Sequence, residues 1–540
     1  MTERPQPPNT GPTVFLETFG CQMNVLDSQL VHGQLRGLGY RFVDDWETAD
    51  VVLYNTCSVR QHAEQKVYSR VGVIGKHKRR GSDVVLGVIG CMAEREGSDV
   101  LRRYPQIDVL CGPGELDKLP MLIDNALRTS PNRRGGSRSA RVALQGNTHR
   151  RSATLAAAED ELEMLDLARS FSPDEHHGSA YVRITRGCNK FCTYCVVPHT
   201  RGAEVHRPPD HIVEECRRLV DAGVIEVTLI GQTVNHYRYD RTAAVTVRGI
   251  QQPQVGAVMK GSLSHEPRAG SSPLSQASSL KPQASNTTSF ADLLARVHDE
   301  VPDLRRLRFV TSFPRDFGDD ILEVIRDKPR ICRYLHLPAQ SGSNRILERM
   351  NRGYRIEQYE QLLGRIREYL PDAQIAGDVI CGFPTETQRD HEATCDLLRR
   401  ARYKNCFIFK YSPRPGTVAM DRLDDDVSES VKRQRNNELL SIQSEISADV
   451  HRAVVGRTVS VFVESISDRA IRSRNTADPA VTVGWERGQP VTQLCGRTSG
   501  DLIVIFDGAP DLVGSIVEVR INNSAPLTLF GELVITPAAV

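Results

Sequence analysis

Residues 181–202 read YVRITRGCNKFCTYCVVPHTRG, and this stretch holds three closely spaced cysteines. Cys188, Cys192 and Cys195 form a CxxxCxxC arrangement. Before them, Tyr181–Thr185 alternates aromatic or β-branched residues with polar ones, which predicts a strand ending at the Arg-Gly pair that follows. The cysteines therefore fall on the loop after a strand. Three thiolates within one short loop favour a soft metal centre.

A closed zinc or iron–sulfur site would need a fourth ligand, and the loop offers none at the usual zinc spacing. His199 is the nearest candidate, but Pro198 and the strand-like run before it disfavour that role. Three ligands on a four-iron cluster would leave one iron open to bind another molecule, which is the arrangement of a catalytic site. A structural zinc site or unrelated core cysteines is the alternative interpretation.

The composition of the whole chain limits the classes of protein to consider. At 540 residues the chain is long enough for about three domains. Because 69 Lys and Arg nearly balance 67 Asp and Glu, contact with nucleic acid must depend on local basic patches. No apolar run has membrane-spanning length and no secretory signal is recognisable, so we expect a cytoplasmic protein without membrane association. Thirteen cysteines favour metal ligation and buried thiols over disulfides.

Three strand-like segments between residues 12 and 128 each end at a cysteine. The segments are 13–18, 50–54 and 83–89. Helical patterns follow them, which predicts a parallel sheet whose strands end at one ligand-binding edge. Cys21, Cys57 and Cys91 should therefore come together as a second three-cysteine site. Cys111 follows a fourth strand-like segment and by geometry could close that site as a fourth ligand.

Residues 129–178 are predicted to link this domain to the next. Their first part is rich in Arg, Ser and Gly, so it could contact a phosphate backbone or be a solvated connector. Residues 155–168 predict a short acidic helix within the linker.

From residue 179 to 447 the chain repeats strand, loop and helix. Six strands are predicted, at 181–185, 226–230, 307–310, 334–337, 374–380 and 406–410. Six βα units suggest an incomplete barrel, in which reactive groups follow the strands and a lateral gap can admit a macromolecule. Residues 238–289 interrupt it with a Ser-, Gln-, Pro- and Gly-rich segment of little periodicity. This composition predicts a poorly ordered surface insertion that leaves the chemistry intact.

Residues 448–538 predict a small β-barrel, because short alternating strands are separated by glycine turns. A long helical pattern leads into it from the central domain. Three arginines could contact RNA phosphates or could simply be exposed on this barrel. They are Arg472, Arg474 and Arg497.

The CxxxCxxC motif, with Tyr194 before its last cysteine, resembles the motif of the radical S-adenosylmethionine (SAM) proteins. The longer string RGCNKFCTYCVVPHTRG resembles the methylthiotransferases, and among them the MiaB family that modifies tRNA. Further matching strings are TFGCQMN, NTCSVR, LHLPAQSGSNRIL, GFPTET and YSPRPGT. CGRTSGDLIVIF and LFGELV resemble a TRAM domain, an OB-like RNA-binding module. The implied fold is a parallel α/β domain, a partial (βα)6 radical SAM barrel and a C-terminal β-barrel.

The resemblance implies two [4Fe–4S] clusters and bound SAM. One cluster would be held by Cys188, Cys192 and Cys195, with SAM on its open iron. The auxiliary cluster would be held by Cys21, Cys57 and Cys91, which leaves Cys111 a buried thiol.

The resemblance also implies that SAM lies against the loops after the barrel strands. The candidate contacts are Tyr194, Gly231, Gln232, Gln340, Ser341 and Gly382. Gln232 stands where an acid is common in other radical SAM proteins. Each of these segments alone could be an ordinary turn.

The implied reaction adds a methylthio group to carbon 2 of N6-(dimethylallyl)adenosine at tRNA position 37. This carbon bears no acidic proton, so the chemistry falls to cofactors, and no catalytic side chain beyond the cluster ligands is assigned. The implied partners are the tRNA anticodon stem-loop, an electron donor such as flavodoxin or ferredoxin, and a sulfur source. The protein is expected to be a monomer.

Two alternatives stay open at this point. The first is a sibling methylthiotransferase acting on threonylcarbamoyl-adenosine tRNA or on a ribosomal-protein aspartate, although the runs QMN after Cys21 and SVR after Cys57 favour the dimethylallyl branch. The second is a non-catalytic RNA-binding metalloprotein. Iron and sulfide analysis, with SAM cleavage on reduction, would separate them.

Overall fold

The computed structural model describes residues 11–58, 61–129, 142–144, 162–169, 177–247, 250–256, 286–467 and 492–534.

Alternating strands and helices build the first domain. Six parallel strands form the sheet of the first domain, in the order Arg41–Phe42, Thr13–Phe19, Val51–Thr56, Val85–Ile89, Val109–Cys111 and Val142–Ala143. Helices cover both faces and enclose two apolar cores. The helices are Gln22–Gly37, Gln61–Arg79, Cys91–Glu96, Asp99–Arg103 and Leu119–Arg128.

Parts of the predicted linker belong to the folded body. Val142–Ala143 is an edge strand of the first sheet, and residues 162–167 form a helix. Glu163 and Asp166 of this helix are buried against three arginines of the central domain, namely Arg183, Arg186 and Arg207. This helix lies within the predicted helix at residues 155–168, and its buried charges fasten it to the central domain. The Arg-, Ser- and Gly-rich residues 130–141 and 145–161 lie outside the described residues.

Six strands form the wall of the central domain, as predicted. They are Ser179–Arg183, Glu226–Ile230, Arg306–Phe309, Tyr334–His336, Gln374–Cys381 and Asn405–Lys410. Neighbours in chain order run parallel, and the Leu307–Ile331 pairing joins the two halves of the wall. The first and last strands do not pair within the described part of the chain, so the barrel is open.

Helices pack on the outside of this wall around the largest apolar core. The helices of this domain are Val197–Thr200, Pro209–Asp221, Phe290–Glu300, Asp319–Asp327, Asn344–Arg349, Ile356–Tyr369, Gln388–Ala401, Val418–Arg422 and Glu429–Arg452. None of the described helices is long and apolar enough to cross a lipid bilayer.

The first domain packs against the inner face of the open barrel. Helix Gln22–Gly37 places Met23, Leu26 and Leu30 in one apolar cluster with Ile230 of the second barrel strand. Cys21 directly precedes this helix, so the packing brings the first domain's cysteines to the barrel.

The ends of the insertion at 238–289 are ordered, which corrects the prediction of poor order for these residues. Arg238–Asp240 pairs with Thr287–Ser289, and Gln254–Val255 pairs with Val205–His206. The ordered part reaches the cysteine loop, because Asn189 Nδ2 donates to the Gly256 carbonyl at 3.1 Å. Residues 248–249 and 257–285 lie outside the described residues.

The C-terminal strands close into a five-stranded barrel, in the order Thr458–Ile466, Thr492–Thr498, Ile503–Gly508, Thr528–Leu533 and Ile516–Ala525. This barrel docks beside the amino-terminal ends of the central strands. Arg306 donates to the carbonyls of Arg497 and Ser460 at 2.9 and 2.8 Å, and Lys404 pairs with Asp501 at 2.5 Å.

Arg497 is held by protein carboxylates rather than left open for phosphate. It pairs with Glu464 and with Asp501, each at 3.1 Å. Arg472 and Arg474 lie outside the described residues, so their predicted phosphate contacts stay predictions.

Candidate active site

The three cysteines of the first domain lie at neighbouring strand ends. Cys21 caps helix Gln22–Gly37, Cys57 follows strand Val51–Thr56, and Cys91 begins helix Cys91–Glu96. A hydrogen bond with Cys57 lowers the pKa of the Cys21 thiol to about 6. Burial raises the pKa of Cys91, with the nearby Arg201 charge opposing it. The register of the parallel sheet therefore brings these thiols together.

Hydrogen bonds from two asparagine side chains hold the segments that carry these cysteines. Asn24 Oδ1 accepts from the Cys21 thiol at 3.4 Å, while its Nδ2 donates to Asn55 Oδ1 at 3.0 Å. Asn55 Nδ2 in turn donates to Ser28 Oγ at 2.9 Å. These residues are buried, so the hydrogen bonds fix the strand ends that carry the cysteines.

The Cys111 thiol is hydrogen-bonded within its own loop. Its Sγ donates to the Glu115 carbonyl at 3.2 Å. Burial first, then the carboxylates of Glu115 and Asp117, raise its pKa well above the usual value. A thiol kept protonated in this way is a poor metal ligand. Its exclusion from the auxiliary cluster is a proposal that this geometry supports.

The cysteines of the CxxxCxxC loop are held by backbone hydrogen bonds. The Cys188 amide donates to the Gly202 carbonyl at 3.2 Å, and the Cys195 amide donates to the Cys192 carbonyl at 3.0 Å. Burial raises the pKa of Cys188 well above its usual value and that of Cys195 to about 12. The Glu204 carboxylate and the neighbouring cysteines raise the pKa of Cys188 further, and Cys192 raises that of Cys195. Thiols that resist ionisation suit a site where metal charge stabilises the thiolates.

Two buried arginines donate to cysteine sulfurs, and the sequence did not identify either. Arg201 Nε donates to Cys91 Sγ at 3.2 Å, and its Nη2 donates to Asp27 Oδ2 at 2.7 Å. Arg352 Nη1 donates to Cys192 Sγ at 3.4 Å. Such N–H groups match the negative charge of thiolate-held clusters. Both cysteine groups therefore fit an iron–sulfur cluster.

Arg201 also connects the two cysteine groups. It ends the short helix Val197–Thr200 that follows Cys195, yet its guanidinium reaches Cys91 in the other domain. Its position in the string HTRG, soon after the last cysteine, was the only sequence signal available for it.

The predicted SAM contacts lie at the strand ends in varied surroundings. Tyr194 meets the Phe383 ring edge-on at 6.5 Å between centroids. Gly231 packs against Thr185, since a Cβ there would lie 2.0 Å from Thr185 Oγ1. Gln232, which follows Gly231, is half-buried.

The other three candidates have polar groups already bonded to protein. The backbone N–H of Gln340 donates to the Asp378 carbonyl at 2.8 Å, and Ser341 Oγ lies 3.4 Å from Thr394 Oγ1. The Gly382 amide donates to Glu386 Oε1 at 2.9 Å. Contact of these groups with SAM stays a prediction.

The half of the barrel interior that the first domain leaves uncovered holds a further group of side chains. His336 Nε2 lies 3.0 Å from Asp378 Oδ1, and the Phe407 ring lies 6.5 Å from His336. Phe407 and Phe409 are 44% and 37% exposed. They alternate with Cys406, which packs in the outer core, so they face inward. The alternation was visible in the sequence, but which face was uncovered was not.

Three family models match the chain. The model described as Uncharacterized protein family UPF0004 matches residues 13–112, the Radical SAM superfamily model matches 182–398, and the TRAM domain model matches 481–534. The chain is 39% identical over 522 residues to the tRNA-2-methylthio-N(6)-dimethylallyladenosine synthase of Rhodopirellula baltica, covering 96% of this chain and 95% of that protein. The chain belongs to this family of radical SAM methylthiotransferases.

Another family member, the synthase of the same name from Phocaeicola vulgatus, is 35% identical over 525 residues and covers 96% of this chain and 95% of that protein. A similar solved structure is TsrM, a radical SAM methyltransferase from Kitasatospora setae, with 15% identity and a TM-score of 0.49 over 76% of this chain and 77% of that one. The family uses SAM and two [4Fe–4S] clusters, which confirms the predicted cofactors.

Proposed function

We propose that this protein methylthiolates carbon 2 of N6-(dimethylallyl)adenosine at tRNA position 37. The observation that carries the proposal is the approach of two cysteine groups across one domain interface. Arg201, which follows the CxxxCxxC loop, donates to Cys91 of the first domain. Cys21 and Met23 lie beside Ile230 on the inner face of the barrel. A base entering the open barrel would therefore meet both groups.

The proposed clusters are held by Cys188, Cys192 and Cys195, and by Cys21, Cys57 and Cys91. When bound, these clusters and SAM supply the radical chemistry and the methylated sulfur. The protein's own part is to hold the sulfur ligands, orient the base and exclude water. The proposed domain boundaries are 12–128, 179–447 and 448–538, joined by 129–178.

We assign the adenine to the uncovered half of the barrel interior. Phe407 and Phe409 offer aromatic faces for stacking, and His336, whose Nε2–H donates to Asp378, offers its other ring nitrogen as a hydrogen-bond acceptor at their side. The C-terminal barrel closes access to this site from the amino-terminal ends of the central strands. Arg308, which pairs with Glu226, donates to the Thr498 carbonyl of the C-terminal barrel at 3.1 Å. The base would therefore enter splayed from its stack, from the side of the cysteines.

The proposed partners follow from this arrangement. The C-terminal barrel would hold the anticodon stem while its loop reaches the central domain. An electron donor such as flavodoxin or ferredoxin and a separate sulfur source would serve the clusters. The proposed active form is the monomer, since both cysteine groups lie on one chain.

The experiment supplies the anaerobically reconstituted protein with SAM, sulfide, a reductant and an anticodon stem-loop. One stem-loop carries dimethylallyladenosine and a second carries threonylcarbamoyl-adenosine. Mass spectrometry of the digested nucleosides should find the 2-methylthio product from the first stem-loop only. Product from the second alone would favour the sibling reaction, and product from neither would contradict the proposal.

Phe407→Ala tests the assigned base site. Loss of one stacking partner should raise KM for the stem-loop about tenfold, since base–aromatic stacking contributes about 1–3 kcal/mol. Phe407→Tyr is the matched control because it keeps the ring, and its KM should stay near that of the parent. Equal KM values for the Ala variant and the parent would place the base elsewhere.

A further inference from the structure

Three side chains outside the two cysteine groups converge beside the second barrel strand. Glu204 and His206 lie on the short segment after the CxxxCxxC loop, and His236 ends the turn Val234–His236. One ligand atom from each lies within 4.8 Å of those of the other two. Zinc bonds of about 2.0–2.2 Å hold tetrahedral ligand atoms about 3.3 Å apart, so small side-chain rotations would let all three reach one ion.

Glu204 is a buried carboxylate without a permanent cation. It is fully buried, and its oxygens accept from Thr233 Oγ1 and His236 Nδ1, each at 2.8 Å. No Lys or Arg pairs with it among the residues described here. A buried carboxylate in this situation is costly unless a cation joins it.

His206 has an imidazole ready to ligate. It is 2% exposed, and its Nδ1 has no hydrogen-bond partner among the described residues. An imidazole nitrogen without a hydrogen-bond partner is available to bind a metal ion.

The ordered part of the insertion covers this group. Gln254–Val255 pairs with Val205–His206, and the Gly256 amide donates to the Glu204 carbonyl at 2.8 Å. A Cβ at Gly256 would lie 2.6 Å from His206 Nε2, so only glycine lets the backbone approach this closely. The insertion therefore packs over Glu204 and His206.

We propose that Glu204, His206 and His236 bind one divalent transition-metal ion, for which Zn²⁺ is the best match. Two imidazoles and a carboxylate are a donor set of zinc and non-haem iron(II) sites. Three protein ligands leave one position for an exchangeable ligand. The proposal does not depend on the methylthiolation reaction.

A second group of potential ligands provides the matched control. His391, Cys395 and Glu438 also lie close together, but the Glu438 side chain is 48% exposed. Burial raises the pKa of Cys395 to about 11, so its thiol stays protonated near neutral pH. This group is an ordinary hydrogen-bond network between helices Gln388–Ala401 and Glu429–Arg452.

The test uses protein whose iron–sulfur clusters are fully loaded, so that the cluster cysteines are occupied. After exposure to ZnSO4 and gel filtration, elemental analysis should find about one zinc per chain in the parent and in His391→Ala. In the double variant His206→Ala and His236→Ala, zinc should fall at least fivefold while iron stays constant. Zinc absent from the parent, zinc unchanged in the double variant, or zinc lost in His391→Ala would overturn the assignment.

Cobalt substitution identifies the ligands independently of any variant. Co²⁺ in the parent should give visible ligand-field bands without thiolate-to-cobalt charge transfer, because the donors are nitrogen and oxygen. The single variant His236→Ala should lose these bands while its far-UV circular dichroism matches that of the parent, since this side chain is partly exposed. Thiolate charge-transfer bands would show that cluster cysteines hold the ion and would overturn the proposal.

Discussion

Gly90 shows how one residue positions a cluster ligand. It precedes Cys91 with φ 90° and ψ −160°, a conformation available essentially to glycine alone. A Cβ there would lie 2.3 Å from Asn55 Oδ1, inside the amide network behind the cysteines. Strand Val85–Ile89 can therefore deliver Cys91 to its neighbours only through a glycine.

Gly90→Ala should destabilise the protein by about 3 kcal/mol or more, because backbone strain and overpacking add. Denaturant unfolding measures this loss, and iron content should fall with it. Gly81→Ala is the control, since Gly81 has φ 100° but open space around its Cα. It should lose only about 1–2 kcal/mol from strain. Equal losses in the two variants would contradict the role of the Asn55 contact.

Arg201→Met should lower the reduction potential of the auxiliary cluster. The hydrogen bond and positive charge at Cys91 Sγ favour the more negative, reduced cluster, and the variant removes both. A charged hydrogen bond contributes about 1.5 kcal/mol or more, which corresponds to roughly 60 mV. Redox titration followed by electron paramagnetic resonance measures the shift.

Arg352→Met is the matched control, because Arg352 donates to Cys192 of the other cluster. It should move the potential of that cluster and leave the auxiliary one unchanged. If each variant moved both potentials equally, the arginines would act through the fold rather than through the sulfur that each contacts.

At the scale of elements, the helix at residues 162–167 is fastened by buried charges. Glu163 accepts from Arg207 at 2.8 Å, and Asp166 pairs with Arg183 at 2.9 Å. Burial raises the pKa of Glu163, but Arg207 and other partners outweigh it and lower the pKa to about 2. Asp166 is likewise held below its usual value by Arg183 and Arg207 against the effect of burial.

Glu163→Gln should therefore cost stability in a pH-dependent way. A depressed carboxyl pKa contributes stability that is complete above the unfolded value of about 4.3 and is lost as pH falls toward 2. The difference in unfolding free energy between parent and variant should be about 3 kcal/mol at pH 6 and shrink between pH 5 and pH 3. Glu214→Gln, in an exposed ion pair with Arg217, should cost under about 0.5 kcal/mol throughout. A pH-independent difference would contradict the ion-pair account.

The parallel sheet of the first domain and the convergence of Cys21, Cys57 and Cys91 could be predicted from the sequence, because parallel strands end at one edge, whereas the order of the strands was not predicted. The sequence predicts a helix within residues 155–168 but not its contacts, since its arginine partners lie in the central domain. Arg201 contacts Cys91 of the first domain, and Arg352 contacts Cys192 across 160 residues of chain, so neither contact is visible in a local pattern. Local patterns encode elements, whereas contacts between domains depend on packing that a single sequence does not display.

At the scale of the whole molecule, three domains meet around one open barrel. The first domain covers part of the inner face of this open barrel through Met23 and Leu26. The C-terminal barrel closes the end where the central strands begin, through contacts with Arg306 and Arg308. Phe407 and Phe409 stay exposed on the part of the inner face that the first domain does not cover. The central claim is that each group holds its own cluster.

Iron and sulfide counting tests that claim most directly. The anaerobically reconstituted parent should contain about eight irons per chain, as two four-iron clusters require. The triple Cys→Ala variant at 188, 192 and 195, and the one at 21, 57 and 91, should each contain about four, and only the first should lose SAM cleavage altogether. Cys111→Ala should keep about eight. Four or fewer irons in the parent, unchanged in either triple variant, would contradict the two-cluster account.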